Sequence, residues 1–263
     1  MKNLKPRKFV VGDIHGMYLA FKQALERCGF RYGIDELITI GDIVDGGPDS
    51  YLVIEELLKI KNRIDIRGNH DSWMLDFINT GIHSEQWAQG ALQTAKSYAD
   101  AIGLELKVSK TRVDYFNQIH YTYVLNLNSN DITESHKNFY RGQHRYYKDD
   151  NKNIFVHGGF HRDNLLSQTP EYIMMWDRTL WKQAMSSRSS QTEMKFKEDF
   201  NLIFIGHTTT LAWKTDKPIK AGRVWNLDTG GGGGGKVTIM NIDTEEYWQS
   251  DLVDDLYDNI YRT

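Results

Sequence analysis

The chain has 263 residues, 40% of them hydrophobic and 25% charged, with a formal net charge of −3 and a pI near 6.3. That length buries about three quarters of the unfolded surface, enough for one large α/β domain or a domain with an insertion. The charge provides no general attraction to nucleic acid or to an anionic membrane, so neither is expected as a partner and any phosphate must be gripped locally. The lone Cys28 rules out an internal disulfide and suggests a reducing, cytoplasmic compartment. After the basic stretch Met1 to Lys8 only Phe9-Val10-Val11 is apolar, too short for a signal core or a membrane span.

Phe9-Val10-Val11 reads as a strand that ends in Gly12-Asp13-Ile14-His15-Gly16. Leu19, Ala20, Gln23, Ala24 and Arg27 follow helical spacing up to Gly29. Glu36 to Ile40 is a second strand, doubly buried by its apolar run, and it stops at Gly41-Asp42-Ile43-Val44-Asp45-Gly46-Gly47-Pro48. A helix from about Ser50 to Ile60 precedes a third short strand, Ile64 to Ile66, which ends in Arg67-Gly68-Asn69-His70-Asp71. This alternation predicts a sheet covered by crossover helices.

From Ser72 to about Gly103 the spacing turns helical. Trp73, Met74, Phe77 and Ile78 make one stripe, and Trp87, Ala91, Leu92, Ala95 and Tyr98 another; both read as core. The expected organisation is one domain over residues 1–263 with a mainly helical insertion at about 72–120. Tyr121 to Leu127 reads as a strand, and the polar stretch Asn128 to Asn153 as a long loop or irregular hairpin. Ile154-Phe155-Val156 then delivers His157-Gly158-Gly159, and Trp176-Asp177-Arg178 follows a short helix. The Ser-rich Ser186 to Gln191 reads as an exposed loop. Leu202 to Ile205 delivers Gly206-His207, and three closing β segments follow, with Gly230 to Gly235 between the first two as a flexible connector, or alternatively as a segment gating the site.

Five short apolar runs thus finish on a glycine beside Asp, Asn or His. One such ending is ordinary turn chemistry; five mark the carboxyl edge of a sheet as a binding edge. Asp13, His15, Asp42, Asn69, His157 and His207 are ligand types suited to hard or borderline divalent metals, with no competing thiolate. Asp42, at the tip of the central strand, is the candidate bridge between two ions. Ions roughly 3.5 to 4 Å apart can hold a hydroxide for in-line attack at phosphorus. His70, next to Asn69, is the candidate general acid, and Asp45 its orienting partner. Arg67 and Arg178 are candidate phosphate clamps, since a guanidinium offers paired donors.

Taken in order, the five motifs from Gly12 to Thr208 resemble the signature of the phosphoprotein phosphatase family of calcineurin-like metallophosphoesterases. The compact length is similar to the bacterial and phage branch, which includes phage-type protein phosphatases and symmetrical diadenosine tetraphosphatases. The resemblance implies an α/β fold with a central sandwich of two mixed β-sheets flanked by helices. It implies one metal on Asp13, His15 and Asp42 and a second on Asp42, Asn69, His157 and His207, with manganese expected and iron or zinc as alternatives. It also implies His70 and Asp45 as acid and partner, Arg67 on phosphate, and Arg178 as a second clamp. Two positions depart from the family: Gly46 stands where an arginine is usual, and Asp71 where glutamate is common. The expected activity is hydrolysis of phosphomonoesters, with protein phosphoserine and phosphothreonine leading. Symmetrical dinucleoside tetraphosphate hydrolysis is the alternative, and a phosphoprotein-binding module with impaired catalysis the third reading.

Overall fold

The computed structural model describes residues 5–83, 90–115 and 118–257. Trp87 and parts of the expected insertion (84–89 and 116–117) lie outside the described residues. In chain order the first elements are β1 (Lys8–Val11), α1 (Tyr18–Arg27), β2 (Glu36–Thr39), α2 (Ser50–Leu58), β3 (Arg63–Asp65) and α3 (Asn69–Thr80). There follow α4 (Ala91–Ala101), β4 (Val108–Tyr115), β5 (Gln118–Leu125), α5 (Glu134–Gly142), β6 (Tyr147–Lys148) and β7 (Ile154–Phe155). The remainder comprises α6 (Glu171–Trp176), α7 (Thr179–Ser189), β8 (Ile203–Ile205), β9 (Ile219–Ala221), β10 (Val224–Asn226), β11 (Thr238–Asn241), β12 (Tyr247–Gln249) and α8 (Val253–Leu256).

Among the described residues, one sheet has the order β12-β11-β1-β2-β3 and a second the order β6-β7-β8-β10-β9. Both are mixed. β1, β2 and β3 run parallel, β11 is antiparallel to β1, and β12 is antiparallel to β11; β7, β8 and β10 run parallel, with β6 antiparallel to β7 and β9 to β10. The alternation of side chains along each strand explains why the runs are apolar throughout. Phe9, Val11 and Leu37 enter the core under the N-terminal helices, while Val10, Ile38 and Met240 face the other way. There they meet Phe155, Phe204 and Leu227 in a core between the sheets. Ile154, Ile203 and Ile205 point outward against Leu180, Trp181 and Ala184 of α7. The result is the expected sandwich of two mixed sheets flanked by helices.

Three sequence expectations are corrected. The polar stretch 128–153 contains the helix α5, because His136, Phe139 and Tyr140 recur on one face and are buried there. Its polar composition concealed that short stripe. The segment expected to be mainly helical to about residue 120 carries α4 and then the antiparallel hairpin of β4 and β5. The Ser-rich stretch is not a loop from Ser186, since α7 runs to Ser189; Ser189 Oγ donates to the Met185 carbonyl at 3.0 Å and Ser190 Oγ to the Ser186 carbonyl at 2.9 Å. Among the described residues no helix is long and apolar enough to cross a membrane.

Candidate functional site

The parallel strands of both sheets deliver their carboxyl ends to one place. Asp42 follows β2 after Gly41 and holds φ 52°, turning its side chain across the edge of the sheet. Its Oδ1 accepts the His70 backbone N–H at 3.0 Å. Its Oδ2 lies 3.3 Å from His157 Nε2 and 3.7 Å from His15 Nε2, so one carboxylate meets imidazoles arriving from both sheets. His15, Asp45 and His207 are also left-handed, with φ 50°, 70° and 65°. Such backbone is costly for residues with side chains and persists where surrounding contacts impose it. The neighbouring glycines make room: a Cβ at Gly68 would sit 2.2 Å from Asp42 Oδ1, and one at Gly206 2.0 Å from Asp13 Oδ1.

Each inner histidine is oriented through its other nitrogen. His15 Nδ1 bonds the carbonyls of Val44 and Asp45 at 3.2 and 2.9 Å, leaving Nε2 for Asp42. His157 Nδ1 bonds the Ile40 carbonyl at 2.8 Å, and its Nε2 lies 3.1 Å from Asn69 Oδ1. Backbone anchors of this kind fix ring orientation at metal sites. The His207 backbone N–H donates to Asp13 Oδ2 at 3.0 Å, which ties the first motif to the last.

These residues fit divalent ions. Asp13 Oδ1 and His207 Nε2 are buried and have no hydrogen-bond partner, an expense that a cation would remove. His15, Asp42 and His70 bring ligand atoms within 4.8 Å of one another, and so do Asp42, His157 and His207. Asp42 is common to both groups, and the donors are carboxylate and imidazole. The first group contains His70, which sequence reasoning had placed as an acid. Charge is balanced tightly. Burial pushes the Asp42 carboxyl up, but the charges of His157 and His70 win and hold it well below the usual range. Burial, then Asp228 and Asp42, drive Asp13 well above it. Burial opposes the His157 charge, yet Asp42 lifts that imidazole to about 10, while burial and then His157 press His207 down to about 3.

His70 opens α3, and its Nδ1 lies 2.9 Å from Asp45 Oδ2. Asp71 pins the same corner: Oδ1 accepts the Ile43 N–H and Oδ2 the Gly68 N–H, both at 2.9 Å. The shorter aspartate therefore still closes the helix cap and joins the second motif to the third. Burial, followed by the charge of Asp42, raises its carboxyl to about 6.

A cavity of about 330 Å³ opens over this floor. His15, Asp42, Asn69, His70 and His207 face it from below, and Trp176, Arg178, Thr208, Asp228, Gly232 and Gly233 form its walls. Arg178 Nη1 lies 3.3 Å from the His207 carbonyl and 3.5 Å from Thr208 Oγ1. Arg67 is placed differently. Its Nη1 pairs with Glu171 Oε1 at 2.6 Å and its Nη2 with the carbonyls of Gln143 and Tyr140 at 3.2 and 3.4 Å, and it is not among the residues lining the cavity. Gly46 is buried at φ 105°, a conformation arginine resists, and a Cβ at Gly90 would already approach its nitrogen to 2.6 Å.

Sequence reasoning missed Asp228 and Trp176, and it preferred a connector over a role at the site for the glycine run. Asp228 follows β10, which is parallel to β8, so it reaches the same edge; its glycine stands two places later, outside the pattern of the other strand ends. Gly232 and Gly233 are part of the cavity wall. The Trp176 ring lies 5.6 Å from that of His207, nearly perpendicular at 86°.

The two arginines make a testable contrast. A charge-assisted hydrogen bond contributes about 1.5 to 3 kcal/mol, so Arg178→Ala is expected to weaken inhibition by inorganic phosphate roughly 10- to 100-fold. Arg67→Ala should change it less than about 3-fold, because that fork is spent on Glu171. Phosphate inhibition constants of both variants check this; equal losses would put Arg67 on the substrate.

Residues 7–210 match the calcineurin-like phosphoesterase family. The chain is 41% identical over 68 residues to serine/threonine-protein phosphatase 1 of Salmonella typhimurium, covering 26% of this chain and 31% of that protein. It is 42% identical over 64 residues to the symmetrical bis(5'-nucleosyl)-tetraphosphatase of Buchnera aphidicola subsp. Acyrthosiphon pisum, covering 24% and 23%. The chain thus spans about a third or less of the length of these relatives. A crystal structure described as a candidate diadenosine tetraphosphatase shares the fold, with a TM-score of 0.62 at 16% identity over 95% of each chain. From the match over residues 7–210, the chain belongs to the calcineurin-like phosphoesterase family.

Proposed function

We propose that this chain is a metal-dependent phosphatase that hydrolyses phosphomonoesters, with phosphoserine and phosphothreonine of proteins as its substrate class. The observation that carries the reading is the convergence of Asp13, His15, Asp42, Asn69, His157 and His207 beneath one cavity, with His70 on the same floor backed by Asp45 and Arg178 on the wall. Those six donors would hold two divalent ions, manganese by preference, which would supply Lewis acidity and activate water as a nucleophile at neutral pH. His70 gives a proton to the departing alkoxide, and Asp45 holds the imidazole in place through Nδ1. Arg178 orients the phosphoryl oxygens. A single domain and a cytoplasmic setting complete the reading, the latter from the lone Cys28.

The second reading is symmetrical cleavage of a dinucleoside tetraphosphate, favoured by the similarity to the Buchnera protein. Charge argues for the monoester. Among the described residues lining the cavity Arg178 is the single Lys or Arg, and Asp228 adds a carboxylate to the same walls. A tetraphosphate needs several cations along its length, whereas one phosphoryl group is served by the metals and one arginine. Steady-state rates of the manganese-loaded protein on phosphoserine peptides, nitrophenyl phosphate and diadenosine tetraphosphate test the choice. Higher kcat/KM on the peptides is expected. A preference for the tetraphosphate would replace the substrate class, and no turnover of any phosphoester would leave only a binding module.

A further inference from the structure

Thr94 belongs to none of the strand-end motifs. It lies in the first turn of α4 and is completely buried. Its Oγ1 donates to Asp45 Oδ1 at 2.5 Å and accepts the backbone N–H of the same Asp45 at 3.0 Å. Ser50 Oγ is 3.1 Å away. A hydroxyl has one proton and two lone pairs. With the proton on the carboxylate, Ser50 must donate, and every bonding position of Thr94 is filled. The second Asp45 oxygen holds His70 Nδ1 at 2.9 Å, so a continuous path runs from α4 through Thr94 and Asp45 to His70.

Asp45 needs such a restraint, since it holds φ 70° and is followed by Gly46 at φ 105°. The start of α4 is seated directly on this turn: a Cβ at Gly90 would lie 2.6 Å from the Gly46 nitrogen and 2.9 Å from Asp45 Cβ. Close approach at Gly90 and two bonds from Thr94 fix both the backbone and the carboxylate of one residue.

We propose that Thr94 is a positioning residue for the acid pair, holding the Asp45 carboxylate in the rotamer that fixes the His70 ring through Nδ1 at the cavity. This inference rests on the reading of His70 as the acid. It makes the segment between β3 and β5 part of the catalytic apparatus, although its side chain reaches the reacting atoms only through Asp45 and His70. Thr94→Val keeps the shape and removes the hydroxyl; Thr94→Ser keeps the hydroxyl.

The test compares parent, Thr94→Val and Thr94→Ser by kcat and KM on an alkyl phosphate and on nitrophenyl phosphate, and by the ring N–H proton resonance of His70, assigned with His70→Asn. Thr94→Val should lose roughly 10-fold or more in kcat on the alkyl phosphate, with KM unchanged and a smaller loss on nitrophenyl phosphate, whose leaving group needs less protonation. Its His70 ring resonance should broaden or vanish, and Thr94→Ser should restore both. Parent-like kinetics and resonance in Thr94→Val, or equal losses on both substrates, would overturn the proposal. Should the valine variant fail to fold, Thr94→Ala must show the same leaving-group pattern, and its absence there is equally fatal. If the parent turns over no phosphoester, the phosphatase reading fails while the His70 resonance still decides whether Thr94 orders the pair.

Discussion

Asp42→Asn is expected to lower the metal content of both sites together and to reduce turnover by at least about 100-fold, since changes merely to groups behind metal ligands cost 10- to 100-fold. The reason is geometric. One Asp42 oxygen lies near imidazoles from both sheets, at 3.3 Å from His157 and 3.7 Å from His15, so weakening it touches both ligand groups. The amide oxygen of asparagine can still accept the His70 backbone N–H now held by Oδ1, which keeps the start of α3 in place. Asn69→Ala, by contrast, removes a donor near His157 alone and should empty mainly one site. Elemental analysis of the purified variants separates the cases; an Asp42→Asn protein that still binds two equivalents would remove Asp42 from its bridging role.

His70→Asn carries the second large effect. A positioned general acid contributes about 10² to 10⁴ in rate, so kcat on an alkyl phosphate should fall by that factor, with a smaller deficit on nitrophenyl phosphate. Metal content decides between two roles, because His70 sits within 4.8 Å of ligand atoms of both His15 and Asp42. With Nδ1 bonded to Asp45, either role, acid or ligand, would be carried by Nε2. An acid leaves two metals bound in the variant, whereas a ligand takes one away. Loss of one equivalent, with equal rate losses on both substrates, would move His70 into the metal set.

The sandwich was legible because both of its sheets are buried on both faces. Phe9-Val10-Val11 and Ile203-Phe204-Ile205 each send alternate residues to different cores, so an unbroken apolar run ending at a glycine signalled both the strand and its edge. The candidate metal donors were legible for the same reason: each stands within a few residues of such an ending, and parallel pairing brings the endings together. What the motifs could not convey was long-range pairing. Arg67 lies two residues before Asn69, yet Glu171, more than a hundred positions away, claims its guanidinium. Thr94 reads as one polar residue on an amphipathic helix, and only the packing of α4 on the Asp45 turn gives it a role. Gly46 could be read as an empty arginine position, but its φ of 105° is a backbone requirement that no neighbouring residue type announces.

The proposed phosphatase depends on a pair of ions sharing Asp42. An anomalous difference map from crystals of the manganese-loaded protein tests it most directly. Two peaks roughly 3.5 to 4 Å apart are predicted, flanking the Asp42 carboxylate, with His15 beside one and His157 and His207 beside the other. A single peak, or two peaks that leave Asp42 bound to one ion only, would contradict it.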